Sequence, residues 1–327
     1  MSWFIFSLVA VLGWGFADLF YKKGTDENDR YSHLKIAVWV GLVMGIVSLA
    51  LLFILPSFTN ERFTPGELAI DALKYSPAAI GYIVSMVVGY AGLRYLEVSI
   101  VSPVQNASGA LSAIALIIYF LIFGKTNSLL GDFSALNMIG TAVIVAGVIL
   151  LGIAESKISS EESKTDEKEF KKHRMGALAL IFPLLYCLFD TIGTTADGII
   201  LEGENGLGLS EMTVLILYGL IFALAAVCAY VFLIIKEKKA YNPFAPAELK
   251  TKGVAAVFEE FGQIFYVYAM ASKPYLAAPV ISAYCIVSVI LSKLVLKEKL
   301  KPLQNIAVVI VIAGIILLGI QAGFDEM

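Results

Sequence analysis

The chain has 327 residues, of which 59% are hydrophobic and only 16% charged, with a mean hydropathy of +0.83. That balance excludes an ordinary water-soluble domain, in which about a quarter of the residues are charged. A formal net charge of -3 says little by itself, because charge in a membrane protein matters by side rather than by sum; no nucleic-acid partner is expected, and three cysteines with neither CxxC spacing nor a histidine cluster imply no metal site.

Ten apolar stretches follow, each about long enough to cross a bilayer, which takes roughly 20 helical residues. In chain order they are Trp3 to Tyr21, Leu34 to Leu55, Pro77 to Arg94, Ser99 to Phe123, Leu136 to Ala154, Met175 to Ile200, Met212 to Ile235, Gly253 to Ala271, Tyr275 to Leu296 and Leu303 to Ile320. Lipid offers no partner to a bare peptide group, so each is expected as a helix and the fold as an all-α polytopic membrane protein. The first run lacks a basic leader and holds Trp14 and Asp18 where a signal cleavage site would fall, so it reads as a permanent helix. Thr64 and Pro65 open a short amphipathic surface helix ahead of the third span. The third span runs into the fourth through Arg94, Glu97 and Ser99, which leaves nine helices as the alternative count. From Glu155 to Arg174 the mixed-charge run has no apolar periodicity and is expected as a flexible joint. Cys187, Cys228 and Cys285 lie inside spans as packing residues.

With ten helices, 20 of the 24 Lys and Arg residues fall on the odd-numbered connections and their edges; only Arg62, Lys74, Lys125 and Lys273 lie on the other side. The positive-inside rule then makes those connections cytoplasmic and both termini external, in a multi-pass protein of the cell membrane.

The second five spans repeat the first. "WGFAD" at Trp14 to Asp18 aligns with "YCLFD" at Tyr186 to Asp190, Pro103 aligns with Pro279, and "IVAGVILLGI" from Ile144 aligns with "VIAGIILLGI" from Val311. Five helices is an odd number, so the second copy must enter the membrane upside down. Residues 1–154 and 175–327 are thus read as two inverted five-helix repeats, joined by residues 155–174.

The run "LGWG" at Leu12 to Gly15, "RYLEVSIVSPV" at Arg94 to Val104, "LKEKLKPLQ" at Leu296 to Gln304 and "AGIILLG" ending at Gly319 resemble the drug/metabolite transporter superfamily of the EamA-like ten-helix type. The resemblance spans nearly the whole chain. It implies a ten-helix carrier with a central cavity that exports metabolites or amino acids, or imports sugars and other small nutrients. The sequence departs from that pattern at "FGKTN", Phe123 to Asn127, where no acidic residue follows the fourth helix. Relatives are often drawn with both termini in the cytoplasm, the reverse of the orientation read from Lys and Arg.

Ionisable residues inside spans point to function, because an Asp near a helix centre costs about 2.5 to 3.5 kcal/mol to insert. Asp18, Asp190, Glu259 and Glu260 qualify. Asp18 also lies four residues before Lys22, so an intrahelical ion pair is its alternative role. Tyr186, Asp190, Thr194 and Asp197 line one helical face, expected toward the cavity. Gln263 and Tyr266 share the Glu259 face, and since adjacent residues point about 100° apart, Glu259 is chosen over Glu260 for the centre. In the fourth helix, Ser99, Ser102 and Asn106 form a polar stripe beside Pro103, mirrored by Pro279 with Ser282 and Tyr284; both prolines are read as hinges. Trp14, Tyr82, Tyr90, Tyr186, Tyr266, Tyr268 and Tyr284 are expected to complete an aromatic lining suited to a ring or a cation.

No GxxxxGK[ST] run is present, and the two histidines, His33 and His173, lie at a membrane edge or in the joint. Cofactor use, ATP hydrolysis and intramembrane catalysis are therefore not expected. The reading is a secondary transporter for a small organic metabolite such as an amino acid or amine, working by alternating access with protons as a coupling ion, as a monomer or homodimer. A sugar or neutral-solute uptake carrier is the alternative, and a channel or membrane receptor the alternative of another class.

Overall fold

The computed structural model describes residues 2–26, 29–54, 63–92, 98–124, 134–162, 181–204, 206–238, 241–296 and 302–324, and these are helical almost throughout. The first seven long helices are α1 (Ser2–Gly24), α2 (Ser32–Ile54), α3 (Pro65–Gly92), α4 (Val98–Phe123), α5 (Ala135–Glu162), α6 (Ile181–Leu201) and α7 (Glu211–Glu237). A turn at Pro246–Glu248 and a π turn at Leu249–Gly253 lead into α8 (Val254–Ser272), followed by α9 (Pro274–Ile281), α10 (Tyr284–Leu296) and α11 (Pro302–Phe324). Among the described residues, eight stretches are long and apolar enough to cross a membrane. In α5 the apolar stretch among the described residues is Ala135–Leu150. Nor is α8 among the eight, its apolar run being interrupted by Glu259, Glu260 and Gln263. The outer surface is apolar as lipid requires, with Phe53, Leu224 and Ile235 all exposed.

Several elements differ from the sequence expectations. The surface helix expected at Thr64 is not separate: it continues through Pro77 as the first turns of α3. Its start is a capping box, in which the Glu67 amide donates to the Thr64 hydroxyl and the Thr64 amide donates back to the Glu67 carboxylate, both at 3.3 Å. The expected joint begins as helix, since α5 extends to Glu162; the rest of it lies outside the described residues, as do Arg94 to Glu97. The ninth span is broken in two at Ser282 and Ala283. Proline at 279 gives the helical ladder no amide hydrogen, and at the break the Ala283 amide donates at 3.1 Å to the Val280 carbonyl three residues back, tightening the turn. The Ser282 hydroxyl caps the end by donating to the Pro279 carbonyl at 2.8 Å.

Helices pack in reciprocal pairs: α2 on α7, α5 on α11, α1 on α8, α3 on α6, and α4 on both α6 and α9, with α1 also against α10. With no hydrophobic drive between helices in lipid, close approach of backbones supplies the contact, and it needs small residues. In the α2·α7 seam a Cβ on Gly41 would stand 2.2 Å from the Phe222 carbonyl oxygen, and one on Gly219 would stand 2.4 Å from that of Met44. In the α5·α11 seam Gly147 faces the Val311 side chain while Gly314 faces that of Ile144. Each seam reads the same from either helix.

At the membrane edge, Lys35 bridges Asp29 at 2.8 Å and Glu237 at 2.9 Å, tying the first connection to the end of α7. Burial pushes the Asp29 carboxyl up, but the bonds from Lys35 and from the Tyr31 amide outweigh it and hold the group below its ordinary value. Nearby, desolvation and a 2.7 Å bond to Glu248 push the Tyr241 phenol well above its ordinary range.

Candidate functional site: a central acidic cavity

A cavity of about 90 Å³ lies at the centre of the bundle, walled by α1, α3, α4, α6, α7, α8, α9 and α10. Nine of the ten binding residues expected from sequence line it: Trp14, Asp18, Asn106, Tyr186, Asp190, Glu259, Gln263, Tyr266 and Tyr284. Their convergence follows from helical spacing. Trp14 and Asp18 are four apart on α1, Tyr186, Asp190 and Thr194 four apart on α6, and Glu259, Gln263 and Tyr266 fall on one face of α8. Glu260, one residue on, is buried but does not reach the cavity. Pro279 sits in α9 three residues before the break at Ser282, between the lining residues Ala278 and Ile281. Pro103 lies on α4 among residues whose side chains are not described.

One expectation is corrected. Asp197, placed by the stripe on the cavity face, is completely buried behind it, where the Tyr82 hydroxyl donates to its Oδ2 at 3.2 Å. Near its C-terminal end α6 is enclosed by α3 and α8, so its polar face meets protein there rather than open space.

Each of the two matched aspartates is held by a serine from another helix. The Ser288 hydroxyl on α10 donates to Asp18 Oδ2 at 2.8 Å, and the Ser108 hydroxyl on α4 donates to Asp190 Oδ2 at 2.6 Å. Thus Asp18 is braced across 270 residues of sequence rather than along its own helix alone. The alignment that sets Pro103 over Pro279 pairs Ser288 with Ser112, not with Ser108. Ser112 instead makes a long contact, 3.4 Å, to the Thr191 carbonyl. The two braces therefore differ by one helical turn.

Aromatic rings cover one wall. Trp14 lies 5.2 Å from Tyr266 and edge-on to Tyr284 at 5.7 Å, and its indole nitrogen donates to the Glu259 carbonyl at 3.2 Å. Gly262 makes this possible, since a Cβ there would collide with the indole. The Tyr21 and Tyr90 rings lie tilted to each other at 5.0 Å, with their hydroxyls facing each other and Glu259 without closing into hydrogen-bond geometry. The Gln263 Nε2 is likewise buried with no partner among the described residues. Unmatched donors around an acidic cavity are groups that a polar ligand would satisfy.

The sequence reading missed Gln105, Ser108, Tyr21 and Tyr218 as lining residues. On α4 the stripe was drawn too narrow: the helix is clasped by α6 on one side and α9 on the other, so its polar face widens to Gln105 and Ser108 beside Asn106. Tyr218 sits in an otherwise apolar stretch of α7 with no local signal.

No curated protein sequence matches the chain. In fold it matches 28 chains of solved structures. One crystal structure aligns over 100% of this chain and 99% of its own with a TM-score of 0.58 at 13% identity, a likeness of fold alone. Residues 205–320, which carry α7 to α10 and most of α11, match the model of the EamA-like transporter family. Over that segment the chain is similar to the EamA-like transporter family, and with eight apolar helices among the described residues it has the architecture of a polytopic membrane protein.

Proposed function

We propose that the protein is a secondary transporter of the cell membrane that moves a small, amine-bearing organic solute by alternating access. The observation that carries this reading is the cavity lining: Asp18, Asp190 and Glu259 face one space, and no lysine or arginine among the described lining residues opposes them. Excess negative charge in a low-dielectric site selects a cation, and the rings of Trp14, Tyr266 and Tyr284 suit the same ligand. A space of about 90 Å³ falls well below the roughly 300 Å³ of a drug-sized pocket, which favours a small metabolite.

Residues 1–154 and 175–327 act in this reading as inverted repeats, with the joint between them, both termini external, and Pro103 and Pro279 as hinges. The reciprocal glycine contacts of the α2·α7 and α5·α11 seams support a two-fold relation between halves. The serine braces support the alternation. Exchanging the conformations of the repeats would carry Asp190 from Ser108 to Ser112 and release Asp18 from Ser288 toward Tyr284, a slide of one turn or about 5.4 Å. One chain contains both repeats, so a monomer suffices.

A neutral solute such as a sugar is the second reading, favoured by the amides of Gln105, Asn106 and Gln263 in the same cavity. A thermal-shift screen of the purified protein against primary amines, amino acids and sugars separates the two, because a ligand of the native state raises the melting temperature by mass action. Stabilisation by amines that is lost in Asp190→Asn and Glu259→Gln supports the acidic site. Stabilisation by sugars that survives both substitutions removes it. Counterflow in vesicles then tests transport against a channel or receptor, since only a carrier exchanges labelled for unlabelled solute.

A further inference from the structure

Behind the cavity, Asp197 belongs to a second and separate acidic centre. Its side chain has no exposed surface, and its Oδ1 has no hydrogen-bond partner among the described residues. The titratable groups that face it among those residues are phenols. From α3 come Tyr82, bonded to Oδ2, and Tyr75, whose hydroxyl faces the carboxyl without reaching hydrogen-bond geometry and is itself buried and unpartnered. From α8 comes Tyr266, and from α7 Tyr218, edge-on to both Tyr75 and Tyr82. On α6 itself, Thr194 lies within 3.4 Å of the Tyr82 hydroxyl. The neighbouring Gly198 is closed off by Leu116 of α4 and Pro274 at the head of α9. No lysine or arginine among the described residues pairs with Asp197.

A bare carboxylate in such surroundings is too costly to remain charged and uncompensated, so the site must take up a cation. A metal ion is a poor fit, because hard cations ask for six or more oxygen ligands and this centre offers one carboxyl and phenols. A proton needs none of them. The route to the cavity is already in place: Tyr82 and Tyr266 line the cavity, their hydroxyls are hydrogen-bonded to each other, and Tyr82 continues to Asp197. Each hydroxyl in that row has one hydrogen, so the row can point either way.

We infer that Asp197 is a proton-binding site set apart from the solute cavity, loaded and emptied through the Tyr266–Tyr82 hydroxyl row. In loading, Tyr266 accepts a proton from the cavity and passes its own to Tyr82, and Tyr82 passes its own to Asp197 Oδ2. Each O–H bond that breaks is matched by one that forms, and the net change is a protonated Asp197. Unloading reverses the row. The assignment rests on the transporter reading for its use, though not for its geometry: placing the proton beyond the cavity lets a solute and a proton occupy the protein together.

Infrared difference spectroscopy of the full chain in lipid vesicles, titrated with protons alone from about pH 5 to 9, tests this without a known solute. The spectrum of the wild-type protein minus that of Asp197→Asn is expected to contain a carboxylic C=O band that disappears as the pH rises. In Tyr82→Phe, which keeps the carboxyl and removes its one hydrogen bond, the same band is expected at higher frequency and with slower exchange into heavy water. Absence of the band throughout, or a band that never titrates, overturns the site, as does a Tyr82→Phe spectrum identical to the wild type. Because this readout needs no transport, its failure leaves the carrier reading standing, and a failed counterflow assay leaves the proton site standing.

Discussion

The α2·α7 and α5·α11 seams at the flanks read alike from either side, whereas the carboxylate braces at the centre do not. Gly41 and Gly219 meet their opposite backbones in matching ways, as Gly147 and Gly314 meet Val311 and Ile144. Asp18 and Asp190 do not: one takes the serine of α10 and the other takes the α4 serine one turn away from the matching position. Backbone contacts packed without space for a methyl group have a single arrangement, so the flanks stay alike. The carboxylate braces rest on side-chain hydrogen bonds, which side chains at successive turns of a helix can exchange, and the asymmetry gathers there. Under the proposed alternation the seams are the part held fixed and the braces the part that switches.

The largest effect should come from breaking a fixed seam. Gly219→Val would drive side-chain atoms into the Met44 carbonyl and Ser48 and is expected to cost about 3 kcal/mol, seen as a lower melting temperature in detergent. Gly66→Val, at a position with nothing within 4 Å, is the control and should melt like the wild type. Equal melting of the two would mean the seam carries no strain against bulk.

Next come the braces. Ser108→Ala and Ser288→Ala each remove a hydrogen bond from a buried carboxylate and should cost about 1.5 to 3 kcal/mol. Ser112→Ala loses only its long contact to Thr191 and should cost about 0.5 kcal/mol or less. If the proposed exchange carries Asp190 to Ser112, it should nonetheless slow amine counterflow. Wild-type turnover in Ser112→Ala would break the comparison outright.

A smaller effect separates neighbours on α8. Glu259→Gln should weaken amine binding about tenfold, or about 1.4 kcal/mol, whereas Glu260→Gln, off the cavity, should leave the thermal shift per amine concentration unchanged. Matching losses in both would place the two carboxyls in one field rather than on two faces.

The smallest concerns the membrane edge. Asp29 is held below its ordinary value in the folded protein, so its contribution is present above the unfolded value near 4 and fades as the pH falls through the folded one. Solvent screening at this partly exposed pair limits the effect to about 1 kcal/mol or less. Asp29→Asn should therefore lower the melting temperature slightly at neutral pH and flatten its decline in acid.

Much of the cavity was legible because helical spacing alone gathers Trp14 with Asp18, Tyr186 with Asp190, and Glu259 with Gln263. Glu259 could be told from Glu260 for the same reason. Periodicity fails where a helix is enclosed on several sides, as with Gln105 and Ser108 on α4, or where an isolated polar group sits in an apolar run, as with Tyr218. It also fails at the end of a face: Asp197 continues the α6 stripe in register, but α3 and α8 close over it.

The sequence by itself determined that this chain crosses a membrane many times and carries carboxylates inside its spans, because length, apolarity and the cost of bare peptide groups in lipid leave only helices. It also determined which residues correspond between the halves, since that is a matter of counting. Only the tertiary structure decided which serine holds which aspartate, that the proline-bearing span breaks at Ser282, and that Asp197 stands behind two tyrosines rather than beside Asp190. Those choices depend on the depth at which separate helices meet, and within one helix nothing records the position of its neighbour.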